Sequence, residues 1–361
     1  MKIVFILPGY AYRPIGGYNV VFDYAEYLTA NRAADVHVLY YPYQLGTPGR
    51  SLMSRFHSQF KQVVVRSLVK MSRRRELDWR ALMPEVRTHS WKREIERLSL
   101  GAGDAVVATS PQTAHLAANL VHKTSARGFY FLQHVEDWDV ELEFLHSTYR
   151  LPLELVAVAP WIRDYCASVS GRECHVVLNA VDAQKYAPGP PLSDRVCVGT
   201  LLTPSNARKR AGLAIAVLND LSGMGIPCQS FGTCDRPRDL SPSVAHLSNP
   251  THPELLHFYR TTRVFFCTSS TEGFGLAPAE AALCGCAVVS TRNGGVEAYG
   301  DDFVTFCGDT QEDIRNAVLE VYSRCESAQT QVERGIEQLA GYSPDDAAGA
   351  FADIVAPDLQ P

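Results

Sequence analysis

The sequence has no cysteine in its first 165 residues; all ten lie between Cys166 and Cys325, and no two are spaced as C-x-x-C. A chain of 361 residues with that pattern is neither a disulfide-stapled small domain nor a four-cysteine zinc module. No apolar run reaches the roughly 18 residues that a membrane-crossing helix needs. The opening stretch MKIVFILPGYAYRP has no basic leader and no small-residue cleavage site, which argues against a signal peptide. G-x-x-x-x-G-K-[ST] is missing, G-x-G-x-x-G does not follow the first strand-like run, and G-x-S-x-G does not occur. These absences count against nucleotide-triphosphatase, dehydrogenase and serine-hydrolase chemistry. Excess positive charge is also lacking. Lys+Arg number 34 against 39 Asp+Glu, a net of −5, which excludes a protein built mainly to coat nucleic acid.

What is present is ample core-forming material, 46% hydrophobic and 20% charged, enough for about two domains at roughly 150 residues each. Short β-branched and aromatic runs alternate with longer amphipathic ones. KIVFILP, DVHVLYYP, DAVVATSP, GFYFLQH and LELVAVAP predict strands in the first half. RVCVGTLL, CQSFGT, RVFFCTSS, CAVVST and DFVTFCG do so in the second. Val20, Tyr24, Tyr27 and Leu28 mark a helix by their spacing, and AGLAIAVLNDLSG (211–223) is another that stops at a glycine. Near-continuous apolar strands separated by helices imply parallel sheets covered on both faces. The chain is therefore α/β, with two doubly wound Rossmann-like domains. The expected boundaries are 1–180, 181–345 and a tail, 346–361, that packs back on the first domain. The proline-rich stretch 182–194 reads as the linker.

Charge is unevenly placed. Residues 61–97 hold 11 Lys/Arg and 5 Asp/Glu, leaving 23 against 34 elsewhere. That segment suits either a peripheral contact with an anionic membrane or acceptor, or an ordinary solvated surface.

In open α/β sheets, ligands bind where strands end and loops begin. After RVFFCTSS comes TEGFGLAPAEAALCGCAVVSTRNGG. Glycines let backbone N–H groups approach an anion, and a helix start, expected near Pro278, favours negative charge. Glu272 and Glu280 flank that site and suit hydroxyl groups, which carboxylates accept as charge-assisted hydrogen bonds. Phosphate donors beside two carboxylates point to a sugar nucleotide. The competing reading of the glutamates is stabilisation of a helix start.

The segment EGFGLAPAE, followed by ALCGCAVVST and Gly294-Gly295, resembles the E-x7-E signature of retaining GT-B glycosyltransferases, especially glycosyltransferase family four. LELVAVAPWIRDYC, HVVLNAVD and HPELLHFYRTTRVFFCTSS resemble further family segments in the same order, with Ala180 where the family usually has glycine. The resemblance is densest over 155–300. It implies two domains facing a central cleft, a nucleoside diphosphate sugar as donor, and no metal or other cofactor. It implies that Glu280 binds the ribose hydroxyls and Glu272 the transferred sugar. The backbone of Phe274, Gly275 and Leu276 would contact sugar and diphosphate, and the turn at Asn249 the base. Lys209, then Arg208, are the candidates for the leaving diphosphate, with Arg210 adjacent. Gly16-Gly17 resembles the family's diglycine loop beside the donor, with Tyr18 and Asn19 close by. His134 is a candidate near the reacting sugar. Glu136 is a candidate on the acceptor side, two residues on and so on the same strand face if the strand continues.

Asp137-Trp138-Asp139 matches the D-x-D of the other large glycosyltransferase fold, but its place in the first half favours a helix start or acceptor surface over a metal site. The implied activity is transfer of a hexose or deoxyhexose to a glycan or lipid-linked acceptor in bacterial surface polysaccharide synthesis. The expected location is cytoplasmic, with the inner membrane face as a peripheral site. A sugar-nucleotide epimerase, a phosphorylase and a non-catalytic sugar-binding homologue on the same fold are the alternatives.

Overall fold

The computed structural model describes residues 1–11, 14–41, 80–90, 92–138 and 140–359. Most of the basic stretch, at 61–79 and 91, lies outside the described residues, as does Asp139 of the D-x-D triplet. The chain divides into two compact units, Met1–Val177 with Asp345–Pro361, and Leu178–Pro344.

Unit 1 carries a seven-stranded sheet of β1 (Lys2–Leu7), β2 (Asp35–Tyr40), β3 (Arg87–His89), β4 (Ala105–Ala108), β5 (Arg127–Leu132), β6 (Glu154–Ala157) and β7 (Cys174–Val176). Their spatial order is β3-β2-β1-β4-β5-β6-β7, and every pairing is parallel. The winding reverses between β1 and β4, the kind of position where such sheets open a ligand crevice. The covering helices are α1 (Gly16–Arg32), α2 (Lys92–Glu96), α3 (Pro111–Thr124), α4 (Leu142–Thr148) and α5 (Pro160–Ser170).

Helix α1 turns Val20, Val21, Tyr24, Ala25 and Leu28 inward, a stripe at i, i+4 and i+8 that gives the helix one apolar face. The last helix of the chain, Pro344–Val355, completes this unit. Its Phe351 ring lies 6.0 Å from Phe5, 5.0 Å from Tyr24 and 4.8 Å from Phe131. Buried Arg32, at the end of α1, donates to the Asp353 carboxylate at 2.6 Å.

Where the basic segment is described, several of its charges are paired. Arg80 bonds Asp23 and Glu26 at 2.8 Å each, Arg87 lies 3.2 Å from Asp35, and Lys92 pairs with Glu96 at 3.3 Å. Among the described residues no helix is long and apolar enough to cross a membrane.

Unit 2 repeats the plan with β8 (Cys197–Leu201), β9 (Cys228–Gly232), β10 (Ala245–Ser248), β11 (Thr262–Cys267), β12 (Ala287–Thr291) and β13 (Val304–Cys307), in the order β10-β9-β8-β11-β12-β13. Its helices are α6 (Ala211–Gly223), α7 (His252–Thr261), α8 (Leu276–Leu283), α9 (Gln311–Ser323) and α10 (Cys325–Ala340). The apolar runs are explained by burial on both faces. Val264 and Phe266 enter one core cluster with Val198, Leu218 and Val289, while Phe265 between them enters a second with Phe231, Phe258 and Tyr259.

Two local expectations are corrected. The helix expected from about Pro278 begins at Leu276, because Gly275 caps it at φ 89, a left-handed conformation open to glycine. Strand β5 ends at Leu132, and the chain bends before His134. His134 and Glu136 therefore sit on a loop, and strand alternation does not relate them.

Candidate active site

Strands β8 and β11 are neighbours where the winding of unit 2 reverses. The loops that follow them therefore meet, although some 60 residues apart in sequence. The loop after β8 closes in a short turn, Ala207–Lys209, whose amide at Arg208 is capped by the Asn206 side chain. It is laced to the loop after β11. The Ser270 amide donates to the Arg208 carbonyl at 2.8 Å and the Thr268 hydroxyl to the Lys209 carbonyl at 2.9 Å.

This lacing aims the Lys209 ammonium at Glu272, which it reaches at 2.6 and 2.8 Å, one distance to each carboxylate oxygen. The Ser269 hydroxyl donates to the same carboxylate at 2.6 Å. The Glu272 side chain is 8% exposed and that of Lys209 26%. Burial by itself would lower the lysine's pKa, but the Glu272 charge overrides it and the net shift is upward. The lysine is thus held charged. Buried Cys267 lies 4.0 Å from the same carboxylate, and burial pushes its thiol up, away from the reactive thiolate.

The segment after Glu272 is shaped by close backbone approach. A Cβ on Gly295 would stand 2.7 Å from the Glu272 Cβ and 2.8 Å from its carbonyl oxygen. Only glycine lets the 294–295 turn lie against the glutamate. The Gly275 carbonyl accepts from the Tyr299 hydroxyl at 2.8 Å, and the Phe274 ring packs 4.6 Å from Tyr299. Phe274 is buried, so its side chain anchors the loop and leaves its backbone, with that of Gly275 and Leu276, at the start of α8.

Glu280 lies on α8, about one turn beyond its start. The Tyr259 hydroxyl donates to it at 2.8 Å, and the Tyr186 phenol lies beside it. Burial pushes its carboxyl up to about 7, with both phenols pulling the other way.

Asn249 is exposed just after β10 at φ 49, its amide donating to the Gly232 carbonyl at 2.7 Å. Of the three adjacent cations, Lys209 faces Glu272, and Arg210 turns to Asp309 at 3.2 Å, an exposed partner. The Arg208 backbone is fixed in the turn.

The remaining candidates belong to unit 1. Gly16 and Gly17 open α1, and a Cβ on Gly17 would meet the Gln133 side chain at 3.4 Å. The Tyr18 hydroxyl donates to the Gly9 carbonyl at 2.9 Å; burial, then Tyr40 and Glu136, raise its pKa. The diglycine, Tyr18, Gln133 and Glu136 are therefore gathered at the ends of β1 and β5. His134 Nδ1 lies 2.7 Å from the Val135 carbonyl, and its ring stands edgewise to Trp138 at 5.1 Å and Trp161 at 5.3 Å. Among the described residues no three His, Cys, Asp or Glu side chains gather as a metal site requires.

Comparison with known proteins decides the class. Residues 237–338 match the family model of glycosyl transferases group 1. The chain has the GT-B fold and carries a glycosyl transferases group 1 domain over those residues. Sucrose-phosphate synthase from Thermosynechococcus elongatus superposes with a TM-score of 0.74 at 14% identity, over 98% of each chain. HepE from Anabaena, solved in complex with UDP and glucose, gives 0.72 at 14% identity over 99% of each chain. TarM gives 0.71 at 11% identity over 98% of each chain. No curated protein matches the sequence.

The matched segment of this glycosyltransferase spans Asn249, Glu272, Phe274, Gly275, Leu276 and Glu280. Sequence reasoning missed the polar groups that hold the two glutamates. Ser269, three residues before Glu272, was within reach of a local reading. Tyr186 and Tyr259 were not, since they lie 94 and 21 residues from Glu280.

Proposed function

We propose that this glycosyltransferase takes a nucleoside diphosphate sugar as donor, retains the anomeric configuration, and transfers a hexose or deoxyhexose to a hydroxyl of a glycan or lipid-linked acceptor in surface polysaccharide synthesis. The observation that carries this reading is the two-point bond of Lys209 to Glu272 at the reversal of the unit 2 sheet. A cation suited to phosphoryl oxygens and a carboxylate suited to sugar hydroxyls stand side by side, beside the glycine-capped start of α8. That is the charge pattern of a sugar diphosphate. HepE, of the same fold, has been solved with UDP, with UDP and glucose, and with UDP-glucose, which supports a nucleotide sugar here.

In this reading Glu280 holds the ribose, and Glu272 holds a hydroxyl of the transferred sugar. Lys209, with Arg208, stabilises the charge that grows on the diphosphate as its bond to the anomeric carbon breaks. The acceptor oxygen bonds that carbon from the same face, and its proton passes to the departing phosphate oxygen. No separate protein base is needed. Nor is a metal, because the lysine and arginine supply the positive charge. Of the unit 1 candidates, His134 serves the reacting sugar, Glu136 and Tyr18 the acceptor, and Gly16-Gly17 the donor.

The test is a thermal-shift panel with UDP, GDP, ADP and dTDP, followed by transfer assays with the corresponding sugars. A nucleotide at a hundred times its Kd stabilises the fold by about 2.7 kcal/mol, so the right base raises Tm by several degrees. Replacing Glu272 or Lys209 with Ala should lower transfer about a hundredfold or more. A panel without any shift, or full turnover in both variants, overturns the reading.

A further inference from the structure

Glu280 is held by two phenols from two separate segments, and both segments are themselves fixed. Tyr259 lies on α7 with its ring wholly buried, stacked edgewise against Phe231, Phe258 and Phe265 at 5.6 to 5.7 Å. A ring locked on that many sides places its hydroxyl at one point, 2.8 Å from Glu280 Oε2.

Tyr186 comes from the proline-rich stretch read from the sequence as a linker. That stretch is pinned to unit 2. Asp182 caps the amides of Gln184 and Lys185, and the Tyr186 amide donates to the Asp182 carbonyl at 2.9 Å. Arg260, next to Tyr259, donates twice to the Ala187 carbonyl, at 3.1 and 2.9 Å. The Cys284 thiol, one helical turn beyond Glu280, donates to the Tyr186 carbonyl at 3.5 Å, and the Gly189 amide to the Cys284 carbonyl at 3.1 Å. The Tyr186 ring closes the set, edgewise to Tyr259 at 6.3 Å and to His252 at 5.4 Å.

We propose that Tyr186 and Tyr259 are positioning residues for the donor ribose, fixing the Glu280 carboxylate so that its remaining acceptor capacity faces the ribose hydroxyls. The proposal rests on the reading of Glu280 given above and adds the groups through which it works. An ionised carboxylate has about four acceptor directions. One is used by the Tyr259 hydroxyl, the Tyr186 phenol stands against the same carboxylate, and the others are left in a fixed direction. A fixed acceptor binds a rigid diol better than a mobile one, because no side-chain freedom is lost on binding.

The phenols also keep the carboxylate competent. Burial drives Glu280 toward its protonated form, and their hydrogen bonds oppose this. The other groups whose charge bears on it are Cys284 and Tyr299, both of which would be neutral at physiological pH, their pKa values raised by burial.

The experiment titrates the full chain calorimetrically with UDP, GDP and ADP and with the 2′,3′-dideoxy counterpart of each, and reads the ratio of the two Kd values for the base that binds. The ratio is internal to each variant, so a change in stability does not move it. In the unaltered protein the ribonucleotide should bind at least about tenfold tighter, the scale of one hydrogen bond to a charged group. Glu280→Gln should bring that ratio close to one. Tyr259→Phe and Tyr186→Phe should each shrink it severalfold, and together bring it near the Glu280→Gln value. If Glu280→Gln shrinks the ratio but both phenylalanine variants keep it, the positioning role is wrong while the ribose reading stands. If Glu280→Gln leaves the ratio unchanged, or no nucleotide binds, the ribose reading fails and the proposal with it.

Discussion

The candidate residues of the two units are held in different ways. In unit 2 they hold one another. Lys209, Ser269 and Glu272 form one bonded group, and Glu280 with Tyr259 another. In unit 1 the candidates are held by backbone carbonyls and ring packing, as with Tyr18 on the Gly9 carbonyl and His134 between two tryptophans. Charge pairs fixed before any ligand arrives suit a group of constant chemistry, such as a diphosphate and a ribose. Loops in which backbone carbonyls and ring packing hold the candidates suit a surface that varies with its substrate. The contrast therefore predicts that substitutions in unit 2 affect stability and chemistry together, whereas those in unit 1 affect chemistry more than stability.

The largest effect expected is at Lys209. Removing it leaves the nearly enclosed Glu272 without its ammonium partner, and losing one partner of a buried pair costs about 3–5 kcal/mol. Lys209→Ala should therefore lower the denaturant midpoint sharply, and the double variant with Glu272→Leu should recover most of the loss. Equal midpoints for single and double variants would show that the pair is not enclosed. Next comes Gly295→Ala, whose Cβ would stand 2.7 Å from that of Glu272. Displacing the glutamate by about 1 Å is enough to cost on the order of a hundredfold in kcat, with a smaller loss of Tm.

Glu280 gives a pH signature. Its folded carboxyl binds a proton more tightly than at its ordinary 4.5, with a value pushed up to about 7. Stability from the protonated form is therefore complete below about 4.5 and is lost as pH rises through about 7. In nucleotide-free protein, Glu280→Gln should gain Tm over the parent at pH 8 and gain little at pH 4.5. Parallel Tm curves would mean that the carboxyl is well solvated. The smallest effect should be at Gly17→Ala in unit 1, where the added Cβ meets only the end-flexible Gln133 side chain, at 3.4 Å. Its Tm should stay within about 1 °C, and a drop like that of Gly295→Ala would erase the contrast between the units.

Much of the fold was legible because strands buried on both faces must be apolar at nearly every position. RVFFCTSS and CAVVST could therefore be read as β11 and β12 directly. The three-residue strands at 87–89 and 174–176 were not, since they sit at the edges of the sheet with partly exposed side chains and leave no apolar run. Within the site, the spacing of Glu272 and Glu280 and the intervening glycines were visible locally. The choice among Arg208, Lys209 and Arg210 was not, because it depends on how a turn at 207–209 is laced to residues 268–270.

The sequence alone therefore determined two α/β domains, a glycine-bearing loop between two glutamates, and the chemistry those residue types can perform, because each depends on periodicity or on neighbours within a few residues. The tertiary structure decided which cation meets Glu272, that Gly295 must lack a side chain, which rings of unit 1 the final helix meets, and that two distant tyrosines stand against Glu280. Each of these depends on which strand lies beside which, and a winding reversal between β8 and β11 sets residues some 60 positions apart against one another.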